Sequence, residues 1–347
     1  MRLIHNIYSI ILILIFSGVS FAQDVSFSQP YSTPLLLNPA IMGVSQDMVI
    51  NVGYSSQWAG IDDGYKTARL SAHSPVMWNE RGKLDLGLFY YYDRSGAFTT
   101  HDVGLAAGYT LLLDDFNSLS LSLGTGYRNS TIDYSAMTFG DQYIAGRFGD
   151  FNETGEVLHN DVSSIIDATY GVFWHTKPVV DSIQFFAGIS GFHFYDPVFN
   201  FMNQSEAELD SRTNFIMGLK SQTIHAISVS PQFMSSWQGG SRTNFVGLYL
   251  DYAVSVSESS AQLQDKSDTE SASDKLQISI GSWYSVEGKT ASFILGLRYD
   301  AYALGYSYGF GQSMLKEGPF NMGRNEISLS YFLNRTGKQT SSPLGMF

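Results

Sequence analysis

Apolar and polar residues alternate with a period of two along most of the chain after residue 47. The repeat comes in segments of about ten to twelve residues, and residues 118–124 read Ser-Leu-Ser-Leu-Ser-Leu-Gly. Because successive side chains of a strand point in opposite directions, this alternation predicts strands with two unlike faces. About fourteen such segments are present, so we predict an all-β protein.

Charged residues within these segments lie on the face that carries glycine and serine, not on the face that carries leucine. A solvated lumen tolerates charge, whereas a lipid-facing surface does not. Strands of a soluble β-sandwich average only about five or six residues, and the longer segments here match a tilted strand that crosses a bilayer. We therefore predict a transmembrane antiparallel β-barrel whose lumen is lined by Arg69, Asp85, Arg128, Asp167, Asp251 and Arg298.

The composition supports a membrane barrel. Aromatic residues make up 14% of the chain, and charged residues make up 15%, against roughly 25% in an average soluble domain. Tyrosine and tryptophan cluster at the segment ends, where interfacial girdles are expected. The predicted girdle residues are Trp58, Tyr91, Tyr92, Tyr109, Trp174, Tyr252, Trp283, Tyr284 and Tyr299.

The first 22 residues have the features of a secretory signal peptide. A weakly positive start precedes an apolar run from Ile7 to Phe16, and Ser20-Phe21-Ala22 is a suitable cleavage site. The run is too short to cross roughly 30 Å of hydrocarbon as a helix. The predicted division is a signal peptide at 1–22, an N-terminal segment at 23–46, a barrel at 47–333 and a C-terminal tail at 334–347.

The N-terminal segment does not alternate and contains Pro30, Pro34 and Pro39 next to an apolar Leu-Leu-Leu run. Proline cannot donate to a sheet ladder, so we expect an extended ordered segment outside the barrel wall. Its apolar side chains require burial. The segment is expected to plug the lumen or to lie along the periplasmic rim.

Connection lengths bear on the orientation. With both termini in the periplasm, the longer connections should face outward, and residues 131–163 and 194–211 fit this rule. The polar stretch at 257–275 falls on the periplasmic side instead. Two explanations remain open: a long periplasmic loop, or an error of one strand in the count.

Residues with catalytic or ligand-binding chemistry show no organised pattern. The chain has no cysteine, and its histidines lack the spacing of metal ligands. No Gly-x-Ser-x-Gly motif presents a nucleophile. The net charge of −12 argues against nucleic-acid binding. We expect no metal, no cofactor and no enzymatic activity.

Several motifs resemble the PorP/SprF family of Bacteroidota outer membranes, which accompanies the type IX secretion system. The resemblance begins with Phe27-Ser28-Gln29 and an Asn-Pro-Ala block, continues through Tyr54-x-x-Gln57-Trp58, and ends with Asn325-Glu326-Ile327. It covers nearly the whole chain after the signal peptide. The family-motif residues singled out as candidates for partner docking or for the plug are Gln29, Leu36, Asn38, Pro39, Ala40, Gly43, Gln57 and Trp58.

The resemblance implies a non-enzymatic outer-membrane barrel that anchors a secreted partner protein or helps deliver it to the cell surface. Its implied partners are outer-membrane lipid, secretion machinery subunits and a surface protein with a type IX sorting domain. Some members of the family contribute to gliding motility. The alternative is an outer-membrane pore or transporter for small solutes or hydrophobic ligands, because fourteen strands can enclose a lumen.

Overall fold

The computed structural model describes residues 24–58, 64–144, 147–148, 154–155, 161–177, 183–202, 205–222, 227–255, 275–311 and 323–333. The expected signal peptide and C-terminal tail lie outside these residues, as does nearly all of the 257–275 connection. Within the described ranges, no helix combines the length and apolar character that a membrane-crossing helix needs.

Fourteen long strands form the wall of the molecule. In chain order they are β1 (Met48–Gln57), β2 (Tyr65–Asn79), β3 (Gly82–Ser95), β4 (Phe98–Leu112), β5 (Asn117–Ile132), β6 (Val162–Thr176), β7 (Ile183–Phe192), β8 (Arg212–Gln222), β9 (Ile227–Gln238), β10 (Ser241–Ser255), β11 (Lys275–Ser285), β12 (Thr290–Tyr299), β13 (Tyr302–Gly311) and β14 (Arg324–Leu333).

Each strand pairs antiparallel with the next, and β1 pairs with β14 to close the barrel. The closing pairs run from Met48↔Leu333 to Gln57↔Arg324. Closure satisfies the backbone hydrogen bonds of every wall strand and leaves no free edge. The predicted barrel of about fourteen strands is confirmed. Two short hairpins lie in the connections, one at Tyr143–Ile144 with Arg147–Phe148 and one at Val198–Met202 with Ser205–Glu208.

The barrel has two distinct ends. We call the end where β1 begins the lower end and the opposite end the upper end. The connections at 133–161 and 193–211 both join strands at the upper end. Strands β10 and β11 pair directly and are joined at the lower end, so a miscounted strand is not the reason for the position of the 257–275 connection.

The two faces of the wall differ as the alternation predicts. Leu105, Leu123 and Ile166 point outward with 62%, 70% and 65% of their surface exposed. Ser120 and Ser190 on the opposite face are buried. A soluble protein rarely exposes an apolar surface that surrounds the whole molecule, whereas a barrel in a bilayer requires one. The fold is therefore an outer-membrane-type β-barrel.

Two aromatic residues do not lie where the girdle prediction placed them. Trp283 is buried on the inward face and donates its indole N–H to the Tyr249 hydroxyl at 2.9 Å. Tyr91 lines a cavity inside the barrel. Each is adjacent in sequence to an outward-facing tyrosine, Tyr284 or Tyr90, and neighbouring residues of a strand face opposite sides. The girdle prediction was therefore wrong for these two residues.

The N-terminal segment folds into three short helical turns, Pro30–Ser32, Pro34–Leu37 and Pro39–Val44. Each turn begins with a proline, and the fixed φ of proline suits the first position of a helix. Proline lacks a backbone N–H, but the N–H at this position has no acceptor within a helix, so no hydrogen bond is lost. The expectation of an extended conformation was wrong for this reason. The expectation that the segment is not a wall strand agrees with its backbone.

Candidate functional site: the lumen and its N-terminal segment

The N-terminal segment lies inside the barrel, because it contacts inward-facing side chains from opposite walls. The Tyr31 hydroxyl donates to Gln232 on β9, and the Gln29 amide donates to Ser307 on β13. Asn38 reaches β6 and β7, which lie opposite β13 and β14 in the ring. A segment that touches all these strands must cross the lumen.

The segment runs from the upper end of the barrel to the lower end. Asp24 contacts His193, directly after β7, and Arg212, at the start of β8, and both positions lie at the upper end. At its other end, the Ser45 carbonyl accepts a hydrogen bond from Lys83 near the start of β3. The chain therefore passes through the lumen before it enters β1.

Asn38 fastens the middle of the segment to the wall. Its side-chain amide donates to the carbonyls of Val172 and Ile189 at 3.1 and 3.2 Å, and its Oδ1 accepts from the Ala40 N–H at 2.9 Å. The last bond caps the third helical turn. A Cβ at wall residue Gly171 would lie 2.2 Å from the Asn38 Oδ1, so glycine at this position makes room for the contact.

Gln29 and Glu326 fix the segment to the wall near β1. The Gln29 side chain donates to the Ser307 hydroxyl at 3.1 Å and accepts from the Ser328 hydroxyl at 2.6 Å. The Glu326 carboxylate accepts from the Ser28 N–H at 2.8 Å and lies 3.6 Å from Arg69. Side-chain burial of the Arg69–Glu326 pair is nearly complete.

Apolar residues of the segment complete a packed core within the barrel. One cluster combines Leu37, Ala40 and Ile41 with the inward-facing Phe173 and Phe186. A second combines Leu35 and Met42 with wall residues, and Leu36 packs at its margin. Pro39 and Gly43 are buried, and a Cβ at Gly43 would meet the Ser120 hydroxyl at 2.2 Å. Burying a Leu or Met side chain contributes roughly 1.5–3 kcal/mol, so these contacts hold the segment strongly.

The charged residues expected to line the lumen lie on the inward-facing side. Asp85 and Asp251 are buried in ion pairs with Lys83 at 2.9 Å and Lys220 at 3.0 Å. The Arg298 guanidinium stacks 4.1 Å from the centre of the Phe332 ring. Buried charges need such partners because an unpaired charge in a low dielectric is costly.

Arg128 and Asp167 belong to a charged cluster at the upper end, centred on Asp24. The Asp24 carboxylate lies 2.7 Å from His193, 3.1 Å from Arg212 and 3.3 Å from Arg128. Arg128 also pairs with Asp102 at 3.0 Å, and His193 also pairs with Asp167 at 2.8 Å. We call these six residues the upper cluster.

The upper cluster shifts the ionisation of its members. Burial raises the pKa of Asp24, but the charges of Arg212, Arg128 and His193 outweigh burial and bring that pKa well below 3.8. Burial lowers the pKa of His193, yet the Asp24 charge and the hydrogen bonds to both carboxylates raise it above 6.5 overall. The cluster therefore favours an ionised Asp24 beside a protonated His193.

His193 is held in an uncommon backbone conformation, with φ at +55°. Histidine adopts this left-handed region more often than most residues with a side chain, but the conformation needs support from neighbouring groups. The His193 N–H donates to the Asp167 Oδ1 at 3.0 Å, so Asp167 binds both the backbone and the ring of this residue.

Gln57 and Trp58 lie apart from the buried motif residues, at the upper end of β1. The Gln57 side chain accepts from the Arg324 guanidinium at 3.0 Å, and Arg324 in turn binds the Ser26 carbonyl. The Trp58 ring packs 4.8 Å from the Tyr65 ring. Gln57 is thus linked to the segment through Arg324, whereas Trp58 belongs to the aromatic surface at the upper end.

Local sequence patterns did not single out Asp24, Arg212 or Asp102. Asp24 is the second residue after the expected cleavage site and lies in no repeat, and Arg212 begins its strand without a motif around it. Among the described residues, no group of histidine and acidic side chains is arranged to hold a metal ion.

Two cavities adjoin the first residues of the segment. The larger has a volume of about 270 Å³ and lies between residues 24–37 and inward-facing side chains of β3, β4, β5, β8, β9 and β10. The smaller, of about 50 Å³, is lined by Ser26 and Phe27 together with Trp283 and Arg324. The upper lumen is therefore less completely filled than the region around Ile41 and Met42.

The fold and the occupied lumen define a class: an outer-membrane-type barrel that carries its own N-terminal chain inside. The chain belongs to the PorP/SprF family, described as type IX secretion system membrane protein, whose model matches residues 19–331. No curated protein sequence matches this chain with significance.

Solved structures support the architecture. The CymD monoaromatic hydrocarbon channel is similar with a TM-score of 0.50 at 10% identity, over 91% of this chain and 95% of that chain. The Ralstonia pickettii toluene transporter TbuX is similar with a TM-score of 0.50 at 11% identity, over 91% of this chain and 96% of that chain. At such low identity the similarity concerns the fold alone.

Proposed function

We propose that this protein is a non-enzymatic barrel of the type IX secretion and gliding system, located in the outer membrane of a Bacteroidota-type bacterium. It anchors a secreted protein with a type IX sorting domain or helps deliver that protein to the cell surface. Secretion machinery subunits are its partners on the periplasmic side. Family membership supports the connection to the secretion system.

The observation that carries the interaction role is the occupied lumen. Tyr31, Leu35 and Met42 are buried inside the barrel, in two apolar clusters that pack the segment against the described part of the wall. A porin, in contrast, needs a continuous aqueous path through its interior. A barrel whose lumen is filled in this way is suited to binding other proteins at its two ends, not to transporting solutes. This observation disfavours the pore alternative.

The upper end is the proposed outward end. The connections at 133–161 and 193–211 are there, and barrels of this class carry their longer loops outside the cell. The partner would meet these connections and the upper cluster beneath them. The lower end, where the segment enters β1, faces the secretion machinery in this orientation.

Surface proteomics tests the proposal. Deleting the gene should remove one or a few sorting-domain proteins from the protease-accessible surface, and the wild-type gene should restore them. Replacing Asn38, Pro39 and Ala40 with Gly-Ser residues tests whether the segment contributes to display while the barrel still inserts. An unchanged surface proteome in the deletion strain would contradict the proposed function.

A further inference from the structure

The first four described residues, Asp24-Val25-Ser26-Phe27, are attached to the barrel differently from the rest of the segment. We call them the arm. They are half-buried or exposed, whereas residues 28–35 are all buried. The hydrogen bonds of the arm backbone go to side chains: the Asp24 N–H donates to Gln238, and the Ser26 carbonyl accepts from Arg324. Within the described part of the chain, the hydrogen bonds of the arm backbone therefore go to side chains, not to the backbone of a neighbouring strand.

The Asp24 carboxylate occupies a socket built by the wall. Arg128, Arg212 and His193 converge on it from three different parts of the chain. Without Asp24, Arg128 would still pair with Asp102 and His193 would still pair with Asp167. Arg212 would lose the carboxylate it contacts among the described residues, so the socket needs one carboxylate for charge balance.

Arg212 is fixed in place independently of Asp24. Its guanidinium stacks 4.4 Å from the centre of the Phe192 ring and donates to the Leu36 carbonyl at 3.2 Å. Its Nε is buried without a hydrogen-bond partner in the described structure. The wall therefore presents a preorganised cation with unused donor capacity beside the larger cavity.

The cavities leave space beside the arm for a side chain larger than those of the arm. The 270 Å³ cavity runs along the arm, and its wall combines Met234 and Phe245 with hydroxyl and amide side chains such as Thr243 and Gln238. Two carboxylates also line it, and both have partners: Asp102 pairs with Arg128, and Asp93 accepts from the Thr67 hydroxyl. Apolar surface interleaved with hydrogen-bonding groups suits an extended peptide. A small inorganic anion would leave the apolar part of this surface uncovered.

We propose that the upper mouth of the barrel is a binding site for an extended acidic peptide of the secreted partner, and that the arm occupies this site as an internal stand-in. The partner's Asp or Glu carboxylate takes the place of the Asp24 carboxylate against Arg212, Arg128 and His193, and an apolar side chain enters the cavity between Met234 and Phe245. The identity of the partner rests on the proposed function, whereas the site itself does not.

Peptide binding to the purified barrel in lipid nanodiscs tests the site. The probe is a peptide with the arm's own sequence, residues 24–30, labelled with fluorescein at its C-terminus, and its control carries asparagine in place of the first aspartate. The receptors are wild type, Asp24→Asn, and a variant with residues 24–27 replaced by Gly-Ser-Gly-Ser. A difference in gel migration between unheated and boiled protein verifies that each receptor is folded.

The acidic peptide should bind both arm variants at least tenfold more tightly than it binds wild type, since the attached arm competes at an effective concentration of about millimolar. It should also bind them at least tenfold more tightly than the asparagine peptide does. Adding Arg212→Gln to the Gly-Ser variant should abolish the difference between the two peptides.

Equal binding of the acidic and asparagine peptides, or preference unchanged by Arg212→Gln, would overturn the proposal. Displacement of the peptide by acetate at equal concentration would show a site for free carboxylates and would overturn it as well. Specific peptide binding together with an unchanged surface proteome in the deletion strain would support the site and refute the proposed function. The two failures are therefore distinguishable.

Discussion

At the scale of single residues, the barrel interior contains charged side chains that are buried in ion pairs. Arg69, Asp85 and Asp251 are buried inside the lumen and are paired with Glu326, Lys83 and Lys220. Removing one member of a buried pair leaves the other without compensation, which costs more than the pair itself contributes. The Arg69–Glu326 and Lys220–Asp251 pairs therefore hold different strands together, and the Arg69–Glu326 pair also holds the N-terminal segment against the wall.

Arg69→Met tests this role. It leaves the fully buried Glu326 without its nearest guanidinium and should lower the free energy of unfolding by about 3–5 kcal/mol. The control is Arg242→Met at the exposed upper rim, expected to cost less than about 0.5 kcal/mol. Guanidinium titration in lipid vesicles measures both. The double variant Arg69→Met/Glu326→Leu should recover part of the loss, and equal effects of the two single variants would contradict the buried-pair account.

The upper cluster predicts a pH dependence of the arm. The pKa of His193 is raised above 6.5, so its contribution is fully present below pH 6.5 and is lost as the pH rises through the raised value. The pKa of Asp24 is lowered below 3.8, so its contribution is present above pH 3.8 and is lost as the pH falls through the lowered value. The groups that face His193 are Asp24, Asp167 and Arg128.

The arm should therefore be held most firmly between about pH 4 and pH 6.5 and should loosen at alkaline pH. Hydrogen exchange of residues 24–28, corrected for the intrinsic pH dependence, measures this change. His193→Gln is the control and should remove the alkaline transition while the acidic one persists. A wild-type protein whose corrected exchange is flat from pH 6 to pH 9 would refute the assignment to His193.

At the scale of elements, the wall strands and the segment fit each other through small residues. Gly171 and Gly188 lie against the Asn38 side chain, and Gly87 lies against Leu35. Glycine normally weakens a strand, so its use here reflects the close approach of another chain. The inward-facing glycines of the alternating pattern thus make room for side chains of the N-terminal segment.

Gly171→Val tests the fit between strand and segment. A Cβ there would come within 2.2 Å of Asn38, so the segment must shift, at a cost of about 1–3 kcal/mol. Gly140→Val, at a position with no atom within 4 Å of the added Cβ, is the matched control. Limited proteolysis of the segment and guanidinium titration report the effect. Adding Asn38→Gly should relieve it, and a Gly171→Val protein that behaves as wild type would argue against the contact.

The assignment of outward and inward faces predicts unequal tolerance of charge within one strand. Leu248→Arg places a cation on the lipid-facing side of β10 and should cost roughly 2–4 kcal/mol. Thr243→Arg points into the 270 Å³ cavity and should cost much less. Ser120 is unsuitable as the inward position because Gly43 packs against it. Folding titrations in lipid vesicles that give the same cost for both substitutions would contradict the face assignment.

At the scale of the whole molecule, the occupied lumen separates this barrel from an open channel. The segment crosses from Asp24 at the upper end to Ser45 at the lower end and contacts walls on opposite sides. A barrel of fourteen strands would otherwise enclose a water-filled space.

The wild-type protein should be electrically silent in a planar bilayer, whereas deleting residues 24–44 should produce steady single channels. The gel migration of unheated and boiled protein shows whether the shortened barrel is folded, because a closed barrel unfolds reluctantly and migrates differently when intact. Steady channels from the wild-type protein would revive the pore alternative. A folded deletion variant that remains silent would contradict the plugging role of the segment.

The sequence by itself determined the wall. Alternation assigns a face to each strand residue because the β backbone turns successive side chains to opposite sides, and this rule needs only local information. It assigns Leu121 to the outward face and Asp85 to the inward face, and in the structure Leu121 is exposed and Asp85 is buried. The even strand count followed from repeating the same reasoning. The motif around Asn38 marked the segment as unusual because proline and clustered leucine fit neither strand nor solvated tail.

Only the tertiary structure decided what fills the lumen that the wall encloses. The path of the segment depends on contacts between residues more than a hundred positions apart, such as Asn38 with Val172 and Asp24 with Arg128, and no local period encodes them. For the same reason Trp283 could be read as an interfacial residue although it packs inside. The upper cluster exists because the antiparallel order places the upper ends of β4 to β8 side by side, where the start of the threaded segment meets them.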